Sequence, residues 1–583
     1  MSILNPMITA THFSKQALWL SLAINALLFA VCYGLLYPSF GTVDDTEMQL
    51  VISGQMLSPE PQAQVRWSHW FLGMMLSNLY QLNKTVPWYG LSFYLAHFLS
   101  MTGLLYVTLR LQGSYWRLAM YLAAFCIAEL PLLQTVQFTS TAIVAASSGA
   151  ILLWWALRAP KKAEVIASLI IGVILVVWAT LLRKEVFYLM AIVTSPLLIH
   201  AIFYQKKYWW SRAIAISAVL LLCIGLLGIQ RLMVQQDAGW KDYFERQETG
   251  VPPALLDYDW EGYRWNTVTA DKYHAEVGWS YNDYILYKSW FMADTAVYGT
   301  TSFKKIKELM GAGPHFSKQR VKDRIKWAFY YNDLHDYWFN CFLAMGLGLL
   351  VASFSSLRGF GWVISSTIVL TVALALFLIV TRYLPERVSF PLCWFHLQLV
   401  LLVAGLGNEI PRRYKVGIMG IWAILCLAAI KPALRLADEV RKKQNQWTLA
   451  LKQLDPKPDQ LFVSAACRYY EPLALPLEPI FRRPFTDFKA LDFGHLANTP
   501  TYHKQLKSMG FGNILLDMID HEKVFFVGAH NSIFMDWYRQ FLLEHYQKNI
   551  KFELYKDHPE VNTAVFRVRS IVIDTLNPEN INK

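Results

Sequence analysis

Apolar residues in this chain run in blocks near twenty residues long, without the polar positions that interrupt a soluble helix. A helix of that length crosses a hydrocarbon core. The pattern predicts about eleven spans, near 17–38, 88–109, 117–136, 138–157, 164–182, 186–204, 212–233, 336–356, 361–381, 388–408 and 414–431. The third and fourth nearly touch around Gln134 to Thr139, where Pro131 is placed to break a hairpin. Between the first two spans, Glu47 to Leu82 is too polar to cross. Its Val65, Trp67, Trp70, Phe71, Met74, Met75 and Leu79 recur at helical spacing, which predicts amphipathic helices on the membrane surface. A folded loop with its own small core is the alternative. After Lys431 the pattern changes: Asp438 to Asn445 is charged and polar, and the apolar segments shorten. Leu461–Ala466, Lys523–Val527, Ile550–Tyr555 and Thr563–Val568 read as strands. Thr501–Met509 and Ser532–Tyr546 read as helices. The expected fold class is a polytopic α-helical membrane module over 1–431 followed by a soluble α/β domain over 432–583.

Composition fits this reading. The 583 residues are 55% hydrophobic and 16% charged, against about 25% charged in soluble domains. The net charge of +12 follows from the collection of Lys and Arg on the cytoplasmic side of membrane proteins. Nucleic acid is not a needed partner, because no soluble segment interleaves a basic run with aromatics. Seven scattered cysteines form no CxxC or CxxH spacing, so neither a zinc site nor a disulfide framework is indicated. The first apolar span lacks a basic leader and a cleavage site, and reads as a retained anchor.

Charge also orients the spans. Arg110 and Arg117, then Arg158, Lys161 and Lys162, then Lys206, Lys207 and Arg212, then Arg358, then Arg412, Arg413 and Lys415 fall on alternate loops. The positive-inside rule places those loops and the N-terminus in the cytoplasm of a cell (plasma) membrane. With an odd span count, the C-terminal domain is outside, along with the first loop at 39–87 and the large loop at about 232–335.

The candidate chemistry lies on that expected outer face. Asp44-Asp45 follow the first span, where an ionised carboxylate must be solvated, paired or functional. Arg183, Lys184 and Glu185 end the fifth span, and Arg382, Glu386 and Arg387 join the ninth to the tenth. Basic residues there run against the positive-inside bias, and arginine at membrane level suits a phosphate. His69, Glu129 and Glu185 are accessory candidates, His69 having a surface-histidine reading and Glu129 a structural one. The large loop is crowded with aromatics, including Trp240, Tyr243, Phe244, Tyr258, Trp260, Trp279 and Tyr287, which suit sugar rings or ordinary packing. Carboxylates beside phosphate-binding arginines point to glycosyl transfer from a lipid phosphate: a carboxylate takes the acceptor's proton and the arginines stabilise the departing phosphate. The rival for the acids is helix capping, with Asp at the N-cap.

An acidic pair in the first outer loop, followed by surface-lying helices, resembles the GT-C superfamily of membrane glycosyltransferases, which includes protein O-mannosyltransferases and aminoarabinose transferases. Asp44-Asp45 match the motif, and residues 47–82 match the helices. The resemblance covers roughly 15–430. It implies a polyprenyl-phosphate-linked sugar as donor, a glycan, lipid or protein as acceptor, and membrane lipids as surroundings. It gives the pair the catalytic role, with Asp44, in the first position, as the base. Donor-phosphate roles for Arg183, Lys184, Arg387 and Arg382 are physical inference. The cofactor is open. Some members of the superfamily use a divalent cation (Mg2+ or Mn2+), which Asp44 and Asp45 would hold. A glycan polymerase or ligase and a lipid-linked saccharide transporter are the alternatives.

Overall fold

The computed structural model describes residues 12–111, 114–256, 274–310, 322, 343, 345–346, 360–381, 385–403, 412–464, 475–477, 488–494, 496–529 and 532–571. Among these residues, nine helices are long and apolar enough to cross a membrane. Two further helices, Lys184–Val193 and Ser195–Phe203, are bent by 52° at their junction and together have the length and apolarity of a broken span or a re-entrant loop. Pro196, at the start of the second helix, removes a backbone donor where the bend occurs. The span expected near 336–356 lies outside the described residues except for 343, 345 and 346.

The helices that frame the site are α1 (His12–Leu36), α2 (Val43–Ser53), α3 (Trp70–Leu82), α4 (Trp88–Leu111) and α5 (Tyr115–Ala124). A π-helical turn, Phe125–Glu129, joins α5 to α6 (Leu130–Gln134). Then come α7 (Phe138–Ala156) and α8 (Lys162–Leu182). The third and fourth spans are therefore two helices with a break at residues 135–137. Helix α7 is buried along its whole length, at the centre of the bundle. The last helix long and apolar enough to span, Arg412–Leu454, runs 43 residues without a stop at Lys431. Its first half is apolar and its second half polar, so one continuous rod leaves the bundle and enters the C-terminal region.

Five strands form the C-terminal sheet: Leu461–Ser464, Lys489–Asp492, Val524–Gly528, Ile550–His558 and Thr563–Ser570, numbered β3 to β7. Their order is β4-β3-β5-β7-β6. The first three are parallel, and β6 and β7 add an antiparallel hairpin. The sequence pattern did not predict β4, a four-residue strand. The sheet shares one core with the large loop, since Trp279, Leu286, Phe291 and Tyr298 are buried with Val463, Phe526 and Phe541. The first loop joins the same assembly. Backbone N–H of Ala490 and the Gln505 amide both donate to the Met56 carbonyl, and Lys504 pairs with Glu60. The first loop, the large loop and the sheet domain therefore cap one end of the bundle together.

Candidate active site

Two short strands set the position of the acidic pair. β1 (Ser39–Phe40) runs parallel to β2 (Thr135–Val136), and Gly41 N–H donates to the Val136 carbonyl at 2.9 Å. A Cβ at Gly41 would stand 2.9 Å from the Thr135 carbonyl oxygen, so only glycine allows this approach. The ladder delivers the start of α2 to the start of α7. Helix α2 then stops at Gly54, whose φ of +70° closes the last turn in the left-handed conformation glycine favours.

Neither aspartate is the N-cap. Thr42 takes that position, and Asp44 and Asp45 occupy the first turn, where the helix dipole favours acids. Successive helical residues diverge by about 100°, and the two carboxylates part. Asp45 is fully buried. Its Oδ1 accepts from the Tyr89 hydroxyl at 3.1 Å and from Phe138 N–H at 3.1 Å, and its Oδ2 accepts from Thr42 Oγ1 at 2.8 Å. Burial pushes its pKa up to about 8, against those three hydrogen bonds. Asp44 instead lines a narrow cleft with Glu47, Gln64, Arg66, Trp67, Trp240 and Thr499.

Arginines gather around that cleft. The Arg66 guanidinium lies 4.1 Å from the centre of the Trp67 ring, and Arg183 lies 5.0 Å from the same ring. Arg183 also lies 4.9 Å from the ring of Phe138, the residue whose N–H holds Asp45. Arg183 ends α8 and pairs with Glu185 at 3.3 Å. One turn of α7 also reaches Arg387, because Ser140 Oγ donates to the Arg387 carbonyl at 3.2 Å. The chain from Arg387 leads straight into a cavity of about 380 Å³. Its lining is apolar (Ile364, Ile368, Leu392, Leu399 and Val400), with Ser389, Thr371 and His396 as polar exceptions.

The other expected residues stand apart from this group. Lys184 is exposed at the start of the next helix. Arg382 lies outside the described residues. His69 is the N-cap of α3: its Nδ1 accepts from Phe71 N–H at 3.0 Å, so Nε2 carries the proton and donates to the Leu226 carbonyl at 2.7 Å. Burial lowers its pKa further from the charged form. Glu129 is fully buried in the bundle, 2.6 Å from His97 Nδ1, and accepts from Trp394 Nε1 at 2.8 Å. Of the large-loop aromatics, Trp240 lines the cleft, while Trp279 and Tyr287 pack in the shared core. Tyr258 and Trp260 are outside the described residues.

Sequence reasoning missed Arg66 and Tyr89. Arg66 carried the same signal as Arg183, a basic residue on an expected outer loop, in the run Gln64-Val65-Arg66-Trp67. Asp45 has both oxygens engaged by the protein, which leaves the pair poorly arranged to share a cation. A side-chain set compatible with a metal ion lies elsewhere. Asp283, Glu544 and His545 each offer one ligand atom, all within 4.8 Å of one another. Asp283 is buried and accepts from His545 Nε2 at 2.8 Å, and Glu544 accepts from Ser280 Oγ.

No family model matches the chain, and no curated protein matches it. Among solved structures it is similar to the crystal structure of ArnT from Cupriavidus metallidurans in the apo state. The TM-score is 0.41 and the identity 12%, over 95% of this chain and 98% of that chain. A similarity that low carries no argument about the chemistry, which rests on the residues above.

Proposed function

We propose that this protein is a membrane glycosyltransferase of the GT-C kind, moving a sugar from a polyprenyl-phosphate donor to a glycan, lipid or protein acceptor of the cell envelope. One observation carries the reading. Asp44 and two arginines, Arg66 and Arg183, meet around Trp67 at the capped end of a membrane bundle. The start of α7 links that group to Arg387 and to the apolar cavity beside it. An amphiphile with a long apolar chain and a phosphate head matches both halves of this arrangement.

In this mechanism the lipid chain enters the cavity and its phosphate meets Arg183 and Arg387. The acceptor hydroxyl enters the cleft and gives its proton to Asp44 as its oxygen attacks the anomeric carbon. The new C–O bond forms as the bond from that carbon to the phosphate oxygen breaks. The electron pair leaves on the phosphate, whose added charge the guanidiniums stabilise. Asp45 does not touch substrate. It holds the start of α7 against α2, which keeps Phe138 and Arg183 in place. The cleft has to widen for a sugar, since it holds space for about one water molecule.

The test is transfer of labelled sugar from a monosaccharide on polyprenyl monophosphate in reconstituted vesicles. Asp44→Asn is expected to lower the rate by at least about 100-fold, the usual share of a general base, while the protein still inserts and melts normally. Full activity in that variant sinks the proposal. Transfer only from a preassembled oligosaccharide on a diphosphate lipid makes the protein a glycan polymerase or ligase instead.

A further inference from the structure

A second pair of arginines lies at the end of the bundle opposite the cleft. Helix α7 begins at Phe138 beside Asp45 and runs away from it, so Arg158, just past its last turn, stands at the far end. The Arg158 guanidinium lies 3.6 Å from the centre of the Tyr204 ring and 4.6 Å from that of Trp154. Arg212, in the first turn of the helix Trp209–Gln236, lies 6.0 Å from the same Tyr204 ring. One ring therefore joins the two cations, which are close enough to repel each other. Arg212 is 8% exposed and Arg158 is half-buried.

The acceptors around them are neutral. Arg158 Nη1 donates to His200 Nδ1 at 3.3 Å, and Trp154 Nε1 donates to the same nitrogen at 3.2 Å, so that ring is an uncharged acceptor. Arg212 donates to the Ala201 carbonyl at 3.4 Å and to Gln205 Oε1 at 3.2 Å. Among the described residues no carboxylate pairs with either arginine or acts on its charge. Glu164, at the start of α8, is held by Arg110 at 2.6 Å. Two guanidiniums withdrawn from water without a counter-charge are costly, and a phosphate relieves both the repulsion and the lost hydration.

Two further observations say where that phosphate comes from. Trp209 stacks on Trp210 at 4.0 Å and on Phe203 at 6.0 Å, and Trp210, Phe203 and Tyr208 are exposed. Trp and Tyr gather at the headgroup layer, which puts the arginines at the depth of lipid phosphates. A narrow crevice of about 40 Å³ also opens between α7, α8, the bent helix pair and the helix Trp209–Gln236. Its Leu153, Leu198 and Ile216 stand within about a turn and a half of Arg158, Ala201 and Arg212 on their own segments. Lys161, Lys162 and Lys207 on the same face are exposed, as charges that merely follow the positive-inside bias are. Arg158 and Arg212 are instead held between helices.

We propose that Arg158 and Arg212 bind the phosphate of an anionic membrane phospholipid, with part of one acyl chain against the crevice. The lipid ties the helices Ser195–Phe203 and Trp209–Gln236 to the far end of α7. The seat is remote from Asp44 and stands independently of the transferase reading.

The experiment titrates the purified full chain, in detergent micelles, with phosphatidylglycerol or phosphatidylcholine of matched acyl chains. Native mass spectrometry measures retained lipid, and the melting midpoint follows stability. Phosphatidylglycerol should be retained at least about tenfold better than phosphatidylcholine, with a saturable rise in the midpoint. Arg158→Gln with Arg212→Gln should remove that advantage. Arg158→Lys with Arg212→Lys keeps the charge but not the paired donors, and should lie between. Lys161→Gln with Lys162→Gln removes two exposed charges from the same face and should change retention less than about twofold. Equal retention of the two lipids by the unaltered protein overturns the proposal without any variant. So does full retention of phosphatidylglycerol by a folded Arg158→Gln, Arg212→Gln protein, or an equal loss in the lysine pair, which would make the effect one of overall charge. A midpoint rise of the same size with inorganic phosphate alone would make the ligand a free anion and refute the lipid assignment.

Discussion

At the scale of residues, the acidic pair divides into one group that lines a cleft and one that the protein encloses. The sequence carried the pair but not the division. The divergence follows from helix geometry once α2 is known to start at Val43, and which carboxylate faces inward depends on Phe138, 93 residues away. The division makes a pH prediction. The Asp45 carboxyl has a pKa near 8 in the folded chain and about 3.8 when unfolded. Between those values the folded protein holds a proton at Asp45 that the unfolded chain has released, so the contribution of this group to stability is fully present below about pH 4 and is lost as pH rises toward 8. Asp45→Asn keeps an acceptor for Tyr89 and Phe138 and removes that titration. Its melting midpoint should fall less than the wild type's between pH 5 and 8; parallel curves would refute the assignment. Its transfer rate should fall much less than that of Asp44→Asn. Asp45→Ala is different, since it leaves the buried Phe138 N–H without an acceptor and should cost about 1–3 kcal/mol at any pH.

At the scale of elements, hydrophobic pattern made the spans legible because twenty apolar residues in a row have few other uses. It did not show what happens inside them. The third span contains a π-helical turn ending at Glu129, immediately before Leu130-Pro131. That extra residue per turn re-aims Glu129 toward His97 and Trp394, so that α4, the π turn, α7 and the helix Glu386–Val403 meet in one buried network. Its outer member is Thr141 Oγ1, 3.0 Å from His97 Nε2. Strand β4 was illegible for a different reason. Lys489-Ala490-Leu491-Asp492 has little strand propensity, and it is a strand because β3 and the Met56 carbonyl supply partners. The network predicts that Glu129→Ala destabilises by about 2–6 kcal/mol, about 1–3 kcal/mol for each of its two buried neighbours, His97 and Trp394, left without a hydrogen-bond partner. Glu129→Gln, which keeps an acceptor for Trp394, should lose far less. Thermal unfolding of the detergent-solubilised variants compares them; equal losses would mean the charge of the carboxylate, not its hydrogen bond to Trp394, matters.

At the scale of the whole molecule, the site exists only because three pieces of chain that no local pattern connects cap the same end of the bundle. Arg66 and Gln247 are 181 residues apart, and Arg246 and Ala497 are 251 apart. Pairings at such distances leave no periodic trace, so the capped end was invisible while each helix that builds its surroundings was plain. The capped end also fixes what orientation must mean. If it faces outward, as the Lys and Arg distribution predicts, the donor has to be lipid-linked, because nucleotide sugars are kept in the cytoplasm. If it faces inward, that requirement disappears and a nucleotide-sugar enzyme becomes the better reading. Glu60 and Lys504 sit on the cap with about half of each side chain exposed, and exposed Lys161 lies in the loop between α7 and α8. Single cysteines at these three positions, in a cysteine-free protein, report the answer in intact cells. Glu60→Cys and Lys504→Cys should react with a membrane-impermeant maleimide from outside, and Lys161→Cys only after permeabilisation. Labelling in the reverse order would turn the site toward the cytoplasm and remove the reason for a polyprenyl carrier, even with every contact around Asp44 unchanged.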